Sequence, residues 1–249
     1  MDDKSIAALN DSLHHADPRD ILATVLPLLG RTALSFSGAE DVVLIELTSK
    51  TLKKLEPAPA MPRVFTLDTG RLPAATVRYL EVVRKHYALS LDTLTPDPDE
   101  VRSLVAAKGL FSFYEDGHKE CCAIRKVAPL RKHLAHFDAW ITGQRKDQSP
   151  TRAEVPIIEL DSSMAAVGRR LIKVNPLANA SSAEVWDTIR LFDVPYNPLH
   201  DQGFVSLGCE PCTKPIGPNQ HEREGRWWWE EATQKECGLH YKSGNATPE

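Results

Sequence analysis

Thr32-Ala33-Leu34-Ser35-Phe36, then Ser37-Gly38-Ala39-Glu40-Asp41, then an apolar run from Val42 to Leu55, is the stretch that decides the fold. The first five residues predict a short buried strand, the next five a polar loop, and the remainder a helix. Similar alternations recur downstream. Strands are expected at Arg63 to Leu67, Leu89 to Leu94, Ala139 to Thr142, Val155 to Glu159 and Leu171 to Asn175. Helices are expected from Pro73 to about Tyr87, Pro98 to Ala107 and Ser182 to Phe192. Upstream, the first thirty residues read as helical, with Asp17-Pro18 opening a second helix and Gly30 closing it. Strands alternating with helices predict an α/β fold with a doubly wound, mostly parallel sheet. After Pro195 the chain is rich in Pro, Gly and Trp and reads as an irregular tail around the domain.

Ligands of such sheets sit at the carboxyl ends of the strands. The loops at Ser37 and at Asp68-Thr69-Gly70 both fall there. A Ser-Gly loop between strand and helix offers N–H groups to an anion, although Ser and Asp also cap helices for stability alone. The Lys of a Walker A motif is absent, which argues against an ordinary P-loop NTPase. Positive charge has to come from elsewhere: Arg125-Lys126, Arg145-Lys146 with Arg152, or Arg223 with Arg226. Arg145 and Arg152 stand out because they follow a predicted strand end, and Arg favours bidentate contact with oxyanions.

The chain has 249 residues, 42% hydrophobic and 26% charged, with a net charge of −4. That length suits one large α/β domain or two small ones. The mild acidity gives no reason to expect nucleic acid or an anionic membrane as partner. No apolar run has the length of a membrane span, and Met1-Asp2-Asp3-Lys4 does not open a signal peptide, so the expectation is a soluble, cytoplasmic protein. In a reducing compartment, cysteines at motif spacing are ligands or catalysts more often than disulfides. Of five cysteines, Cys121 and Cys122 are adjacent, Cys209 and Cys212 form a C-x2-C, and Cys237 stands apart. Four suit a metal or iron–sulfur centre and one is left as a nucleophile. Adjacent cysteines diverge along the backbone and serve one tetrahedral ion poorly, whereas a cluster offers each sulfur a different iron. Zinc and unliganded core thiols are the remaining readings of the four.

Taken together, these segments resemble the APS/PAPS reductases, and within them the bacterial iron–sulfur type that acts on adenylylsulfate (APS). The resemblance runs from about Leu34 to His240. It is carried by Ser35-Phe36-Ser37-Gly38-Ala39-Glu40-Asp41, Leu67-Asp68-Thr69-Gly70-Arg71 and Cys121-Cys122-x3-Lys126. Further carriers are Thr142-Gly143-Gln144-Arg145-x2-Gln148-Ser149-x-Thr151-Arg152, Gly208-Cys209-x2-Cys212-Thr213, Glu222-Arg223-x2-Arg226-Trp227-Trp228-Trp229 and Glu236-Cys237-Gly238-Leu239-His240. One departure is Ala39, where the family's loop often has a second glycine; iron–sulfur members commonly carry alanine.

The resemblance implies a PP-loop (adenine nucleotide alpha hydrolase-like) fold. Residues 1–225 would bind nucleotide and cluster, and residues 226–249 would form a C-terminal catalytic segment. Ser37, Gly38, Ala39, Glu40, Asp41, Leu67, Thr69, Gly70 and Arg71 would cradle adenosine and phosphate. Lys126, Arg152, Arg223 and Arg226 would meet the phosphosulfate. Cys121, Cys122, Cys209 and Cys212 would hold a [4Fe–4S] cluster, and Cys237 would be the nucleophile. His240 reads either as a catalytic neighbour of Cys237 or as a tail residue. The implied activity is reduction of APS to sulfite and AMP in sulfate assimilation and cysteine biosynthesis. With no second cysteine near Cys237, an external thiol donor, a thioredoxin or glutaredoxin, must complete turnover. Lys126 follows Cys122 by four residues, so on a helix the two share a face and link cluster to substrate. Trp227-Trp228-Trp229 reads as a lid hinge, as core, or as a homo-oligomer interface. The rivals are an ATP-dependent tRNA-thiolating PP-loop enzyme, a nucleotide sensor without turnover, and PAPS as the preferred substrate.

Overall fold

Residues 1–231, 234–236, 238 and 239 are described by the computed structural model. Cys237 and His240, the expected nucleophile and its neighbour, lie outside the described residues. Two N-terminal helices come first, α1 (Asp3–Leu13) and α2 (Pro18–Val25), the second capped by Asp17 with Pro18 in its first turn. The alternation then begins with β1 (Thr32–Ser35), α3 (Ala39–Leu52), β2 (Arg63–Leu67), α4 (Ala74–His86), β3 (Leu91–Leu94) and α5 (Pro98–Lys108). A broken helical stretch follows: α6 (Lys119–Cys122), a π-helical turn (Ala123–Val127) and α7 (Ala128–Leu134). Strands β4 (Ala139–Ile141), β5 (Ile158–Leu160) and β6 (Ile172–Val174) and helix α8 (Ser182–Phe192) complete the regular elements.

The six strands lie in the order β3-β2-β1-β4-β6-β5. All neighbours are parallel except β5, which runs antiparallel to β6 with Ile158 opposite Val174. The cause is local. Residues 161–171 contain no helix to carry the chain across the sheet, and a parallel return needs a crossover of roughly a dozen residues or more. The chain order reverses between β1 and β4, where Leu34 sits opposite Ile141. Such a reversal leaves a crevice at the strands' carboxyl ends.

Side chains along the central strands alternate between two apolar layers, as the period of two demands. Leu34, Val64 and Ile141 face a layer with α2, α3, α4 and α8, including Val25, Val43, Val83 and Ile189. Ala33, Phe65 and Trp140 face the opposite layer, with Leu130 and Leu134 of α7. Helix α3 is buried almost all round, from Val42 through Leu47, because both neighbouring helices and the sheet cover it. A third cluster joins Phe113, Cys122, Cys209, Cys212 and Trp227. The irregular region after Pro195 therefore wraps the domain and also builds part of its interior: Arg226 and Trp227, the first residues of the expected C-terminal segment, are both buried.

Helix α3 begins at Ala39, three residues before the apolar run that announces it. Gly38 is its N-cap, and Asp41 in its first turn accepts from Gly38 N at 3.3 Å. The same carboxylate accepts from Gly143 N, just beyond β4, at 3.1 Å. A Cβ on Gly143 would lie 2.6 Å from both Asp41 Oδ1 and Glu40 Cβ, so a side chain here pushes the two loops apart. Gly143→Ala is expected to cost about 1–3 kcal/mol, the scale of overpacking a close contact. Urea unfolding measures it, and an unchanged midpoint would mean the loops separate freely.

Candidate active site

The crevice at the ends of β1, β2 and β4 is a cavity lined by Ser37 to Asp41, Leu67, Thr69, Trp140 and the 142–144 turn. Asp41 organises its floor. One carboxylate oxygen accepts from Ser37 N and Ser37 Oγ, both at 2.8 Å, as well as from Gly38 N; the other takes Gly143 N. Burial pushes the Asp41 carboxyl up to about 6, the Ser37 hydrogen bonds oppose that rise, and the charge of Glu40 adds to it.

Next to it, Arg145 is 1% exposed and clamped by two carboxylates, Glu40 at 3.0 Å and Glu222 at 2.6 Å. Glu40 also accepts from Gln148 Nε2 at 2.9 Å. Burial works against the charge on Glu40, but Arg145 holds its carboxyl below the usual range. Arg145, which the sequence singles out as an anion contact, thus has its charge matched within the protein and ties α3 to the loops at 145 and 222.

Lys126, Arg152, Arg223 and Arg226 are all buried and all line this cavity. They arrive from a π-helical turn, a 3-10 turn (Pro150–Arg152) and the irregular region. Arg226 donates to Leu207 O at 2.7 Å and lies 4.6 Å over the Trp227 ring. Gly208 makes room for it: a Cβ there would come 2.2 Å from Arg226 Nη2. Arg152 and Arg223 both reach the Glu236 carboxylate, at 2.9 and 3.2 Å. Burial would raise the Glu236 carboxyl, but Arg152 first and Arg223 second hold it down at about 2.

The four remaining cysteines converge from two segments. Cys121 and Cys122 end α6, and Cys209 and Cys212 flank a 3-10 turn fixed by Cys212 N donating to Cys209 O at 3.0 Å. All four ring one small cavity with Arg71, Phe113, His118, Arg125 and Lys126. All four are free thiols. Burial raises the Cys209 thiol, yet Lys126, the Thr69 hydroxyl at 3.1 Å, Arg226 and Arg125 bring it below its ordinary value. Cys212 is pushed up to about 12 by burial and then by the charge of Cys209. Four thiolates cannot coexist in this space without cations among them, and a polynuclear cationic group meets that demand. The donor set fits an iron–sulfur cluster. Among the described residues no three His, Cys, Asp or Glu are gathered as a single metal ion needs.

Two side chains, Lys126 and Cys209, line both cavities. The π-helical turn shifts Lys126 off a regular four-residue spacing from Cys122, but both still face the cysteine cavity. Of the residues expected to cradle nucleotide, Ser37 to Asp41, Leu67 and Thr69 line the larger cavity. Gly70 and Arg71 do not. Arg71 lines the cysteine cavity instead, donating to Leu110 O and lying 5.1 Å from the Phe113 ring. Trp227 is fully buried and stacks on His118 at 4.1 Å, Trp229 packs on Tyr114, and Trp228 is exposed under Lys214. Trp227 is therefore core. Sequence reasoning passed over His118 and His200, because a lone histidine in a loop carries no spacing signal. His118 precedes α6 and faces the thiols, its ring bonded to Glu230 and the Glu236 carbonyl, and His200 lines the larger cavity.

The phosphoadenosine phosphosulfate reductase domain matches residues 31–215, well over half of the chain. The chain belongs to the APS/PAPS reductase family. A relative named adenosine 5′-phosphosulfate reductase, from Pseudomonas aeruginosa (strain LESB58), is 52% identical over 94% of this chain and 86% of its own length. A probable 5′-adenylylsulfate reductase 1, chloroplastic, from Oryza sativa subsp. japonica is 53% identical over 94% of this chain and 49% of its own length. The crystal structure of phosphoadenylyl-sulfate (PAPS) reductase from Candida auris superposes with a TM-score of 0.69 at 24% identity, covering 87% of this chain and 98% of that one. The last likeness establishes the shared fold. Among the described residues no helix is long and apolar enough to cross a membrane.

The raised Asp41 carboxyl has a consequence for stability. The unfolded chain loses this proton near pH 3.9, whereas the folded protein keeps it until about 6. The native state binds the extra proton in that window, so the Asp41 contribution falls as pH rises from about 4 to 6. The stability difference between wild type and Asp41→Asn is expected to shrink across that range by up to about 3 kcal/mol. Denaturant titrations at successive pH values measure it, and a pH-independent difference would refute the protonated carboxyl.

Proposed function

We propose that this chain reduces adenylylsulfate to sulfite and AMP in assimilatory sulfate reduction. The observation that carries the reading is the crevice between β1 and β4. It joins the loop at Ser37 to Asp41, held in shape by the Asp41 carboxylate at the N-terminus of α3, with four buried basic side chains from distant segments. A nucleotide anion needs fixed cations beside a shaped loop at a helix N-terminus, and this crevice has both. APS rather than its 3′-phosphorylated form is favoured by the names of the relatives that match at about half identity over nearly the whole chain.

Cys237 is the nucleophile of this proposal. Its thiolate attacks the sulfur of APS, the bond from sulfur to the phosphate oxygen breaks, and AMP leaves with that electron pair. The product is a Cys237 thiosulfonate. A dithiol partner, a thioredoxin or glutaredoxin, then attacks Cys237 Sγ and expels sulfite, and its second thiol releases Cys237 as thiolate. The partner becomes a disulfide and supplies both electrons. Lys126, Arg152, Arg223 and Arg226 orient the phosphosulfate and stabilise the leaving phosphate. Cys121, Cys122, Cys209 and Cys212 hold a [4Fe–4S] cluster in this reading. When bound, the cluster supplies positive charge among the thiolates beside Lys126, a structural and electrostatic contribution.

Two experiments bear on these steps. Incubating the anaerobic protein with sulfur-labelled APS, without reductant, is expected to leave label on the protein that thioredoxin releases as sulfite. Cys237→Ser is expected to retain none. An unlabelled wild type would reject the thiosulfonate. Separately, Cys212→Ser is expected to lose most of the roughly four irons and four acid-labile sulfides per chain and the visible absorption of a [4Fe–4S] centre. A wild-type protein that binds one zinc and no sulfide would replace the cluster with a zinc site.

A further inference from the structure

Glu236 presents its carboxylate to the cavity's arginines with a fork-to-fork geometry. Its Oε1 accepts from Arg152 Nε at 2.9 Å and its Oε2 from Arg152 Nη2 at 3.0 Å. Arg223 Nη2 adds a third contact at 3.2 Å and Thr151 Oγ1 a fourth at 3.0 Å. Three arginine contacts and a hydroxyl around two oxygens satisfy a carboxylate, and they equally satisfy two oxygens of a sulfate or phosphate. The two arginines are buried and line the nucleotide cavity.

Compare Arg145. Its carboxylates, Glu40 and Glu222, stand on the helix and loop that form the cavity wall. Glu236 belongs instead to a short segment held largely by polar contacts. Arg223 Nη2 donates to Lys235 O at 2.8 Å, Lys235 pairs with Glu224 at 3.0 Å, and His118 Nε2 meets Glu236 O at 2.9 Å. Leu239 adds one apolar contact, packing on the layer that contains Phe65 and Trp140. Contacts of this kind are given up when an incoming anion satisfies the same arginine donors.

We propose that Glu236 is an internal stand-in for the substrate's anion, occupying the Arg152–Arg223 subsite that the phosphosulfate must take. The inference rests on the reading of this cavity as an adenylylsulfate site. Entry of the ligand's sulfate or phosphate displaces the carboxylate, so anion binding and release of the residue preceding Cys237 are one event. Glu236 is then a positioning residue that sets anion affinity: it lowers affinity for every ligand whose sulfate or phosphate must displace it from the two arginines. A neutral nucleoside makes no demand on the arginines and leaves Glu236 in place.

The test is calorimetric binding in the Cys237→Ser protein, with and without Glu236→Gln, using APS, AMP, adenosine and inorganic sulfate. Removing the competing charge is expected to tighten APS by about tenfold or more, the size of one charge-assisted hydrogen bond. AMP should tighten less and adenosine should not change. Equal or weaker APS binding in the Glu236→Gln protein would overturn the proposal and make Glu236 part of the binding scaffold. Inorganic sulfate separates this failure from failure of the functional reading. If sulfate tightens while no adenylate binds either protein, the anion competition stands and the nucleotide assignment falls. Hydrogen exchange needs no substitution at Glu236: AMP or sulfate should speed exchange at the Lys235 and Glu236 amides, and slower exchange would overturn the proposal.

Discussion

One carboxylate holds the site together. Asp41 joins the loop after β1 to the turn after β4 by accepting from Ser37, Gly38 and Gly143. Those strands flank the reversal of the sheet, so their loops diverge unless something bridges them. Asp41 does so from the first turn of α3, where an acidic side chain also suits the positive end of the helix. The Glu40–Arg145–Glu222 set repeats the bridge one layer out and brings the irregular region into register with the sheet. Removing water from so many polar groups is tolerable because Asp41 and Glu40 each meet several donors and Glu222 meets the Arg145 guanidinium.

Around this frame the charges sort by partner. Arg145 is neutralised by groups of the wall itself, while Arg152 and Arg223 share a carboxylate from near the C-terminus. Lys126, Arg125 and Arg226 lie near the thiols and favour the ionised form of Cys209. A cavity that concentrates cations this way binds anions, and it also stores repulsion that a bound anion relieves.

Much of the fold was legible in the chain. Buried strands at Thr32, Arg63 and Ala139 announce themselves as short apolar runs, and Asp17-Pro18, Pro98 and Ser181 mark helix starts by chemistry that acts locally. The stretch from Lys119 to Leu134 was not, because its helix is interrupted by a π-helical turn and its face is built around thiols rather than aliphatic residues. The orientation of β5 was equally hidden, since it depends on a connection whose length only matters once β6 is placed beside β4. The loop residues Ser37 to Asp41, expected to cradle nucleotide, line the cavity, and their place at the strand end was legible because strand, loop and helix are contiguous. The residues alone do not group Lys126, Arg152, Arg223 and Arg226, which only the family's motifs join. Arg145 misled for the mirror-image reason: its neutralising partners, Glu40 and Glu222, lie far away in the sequence.

The wall shared by the two cavities makes them rivals for a single charge. Lys126 faces both, and its field favours the Cys209 thiolate on one side and an anionic ligand on the other. An anion that draws the ammonium toward itself weakens the case for the thiolate, and whatever satisfies the thiolates by other means returns the ammonium to the anion. Thermodynamic reciprocity requires the two influences to be equal in size. Whatever leaves the thiol side short of counter-charge therefore also weakens the hold on an anion in the neighbouring cavity, and the reverse holds in equal measure.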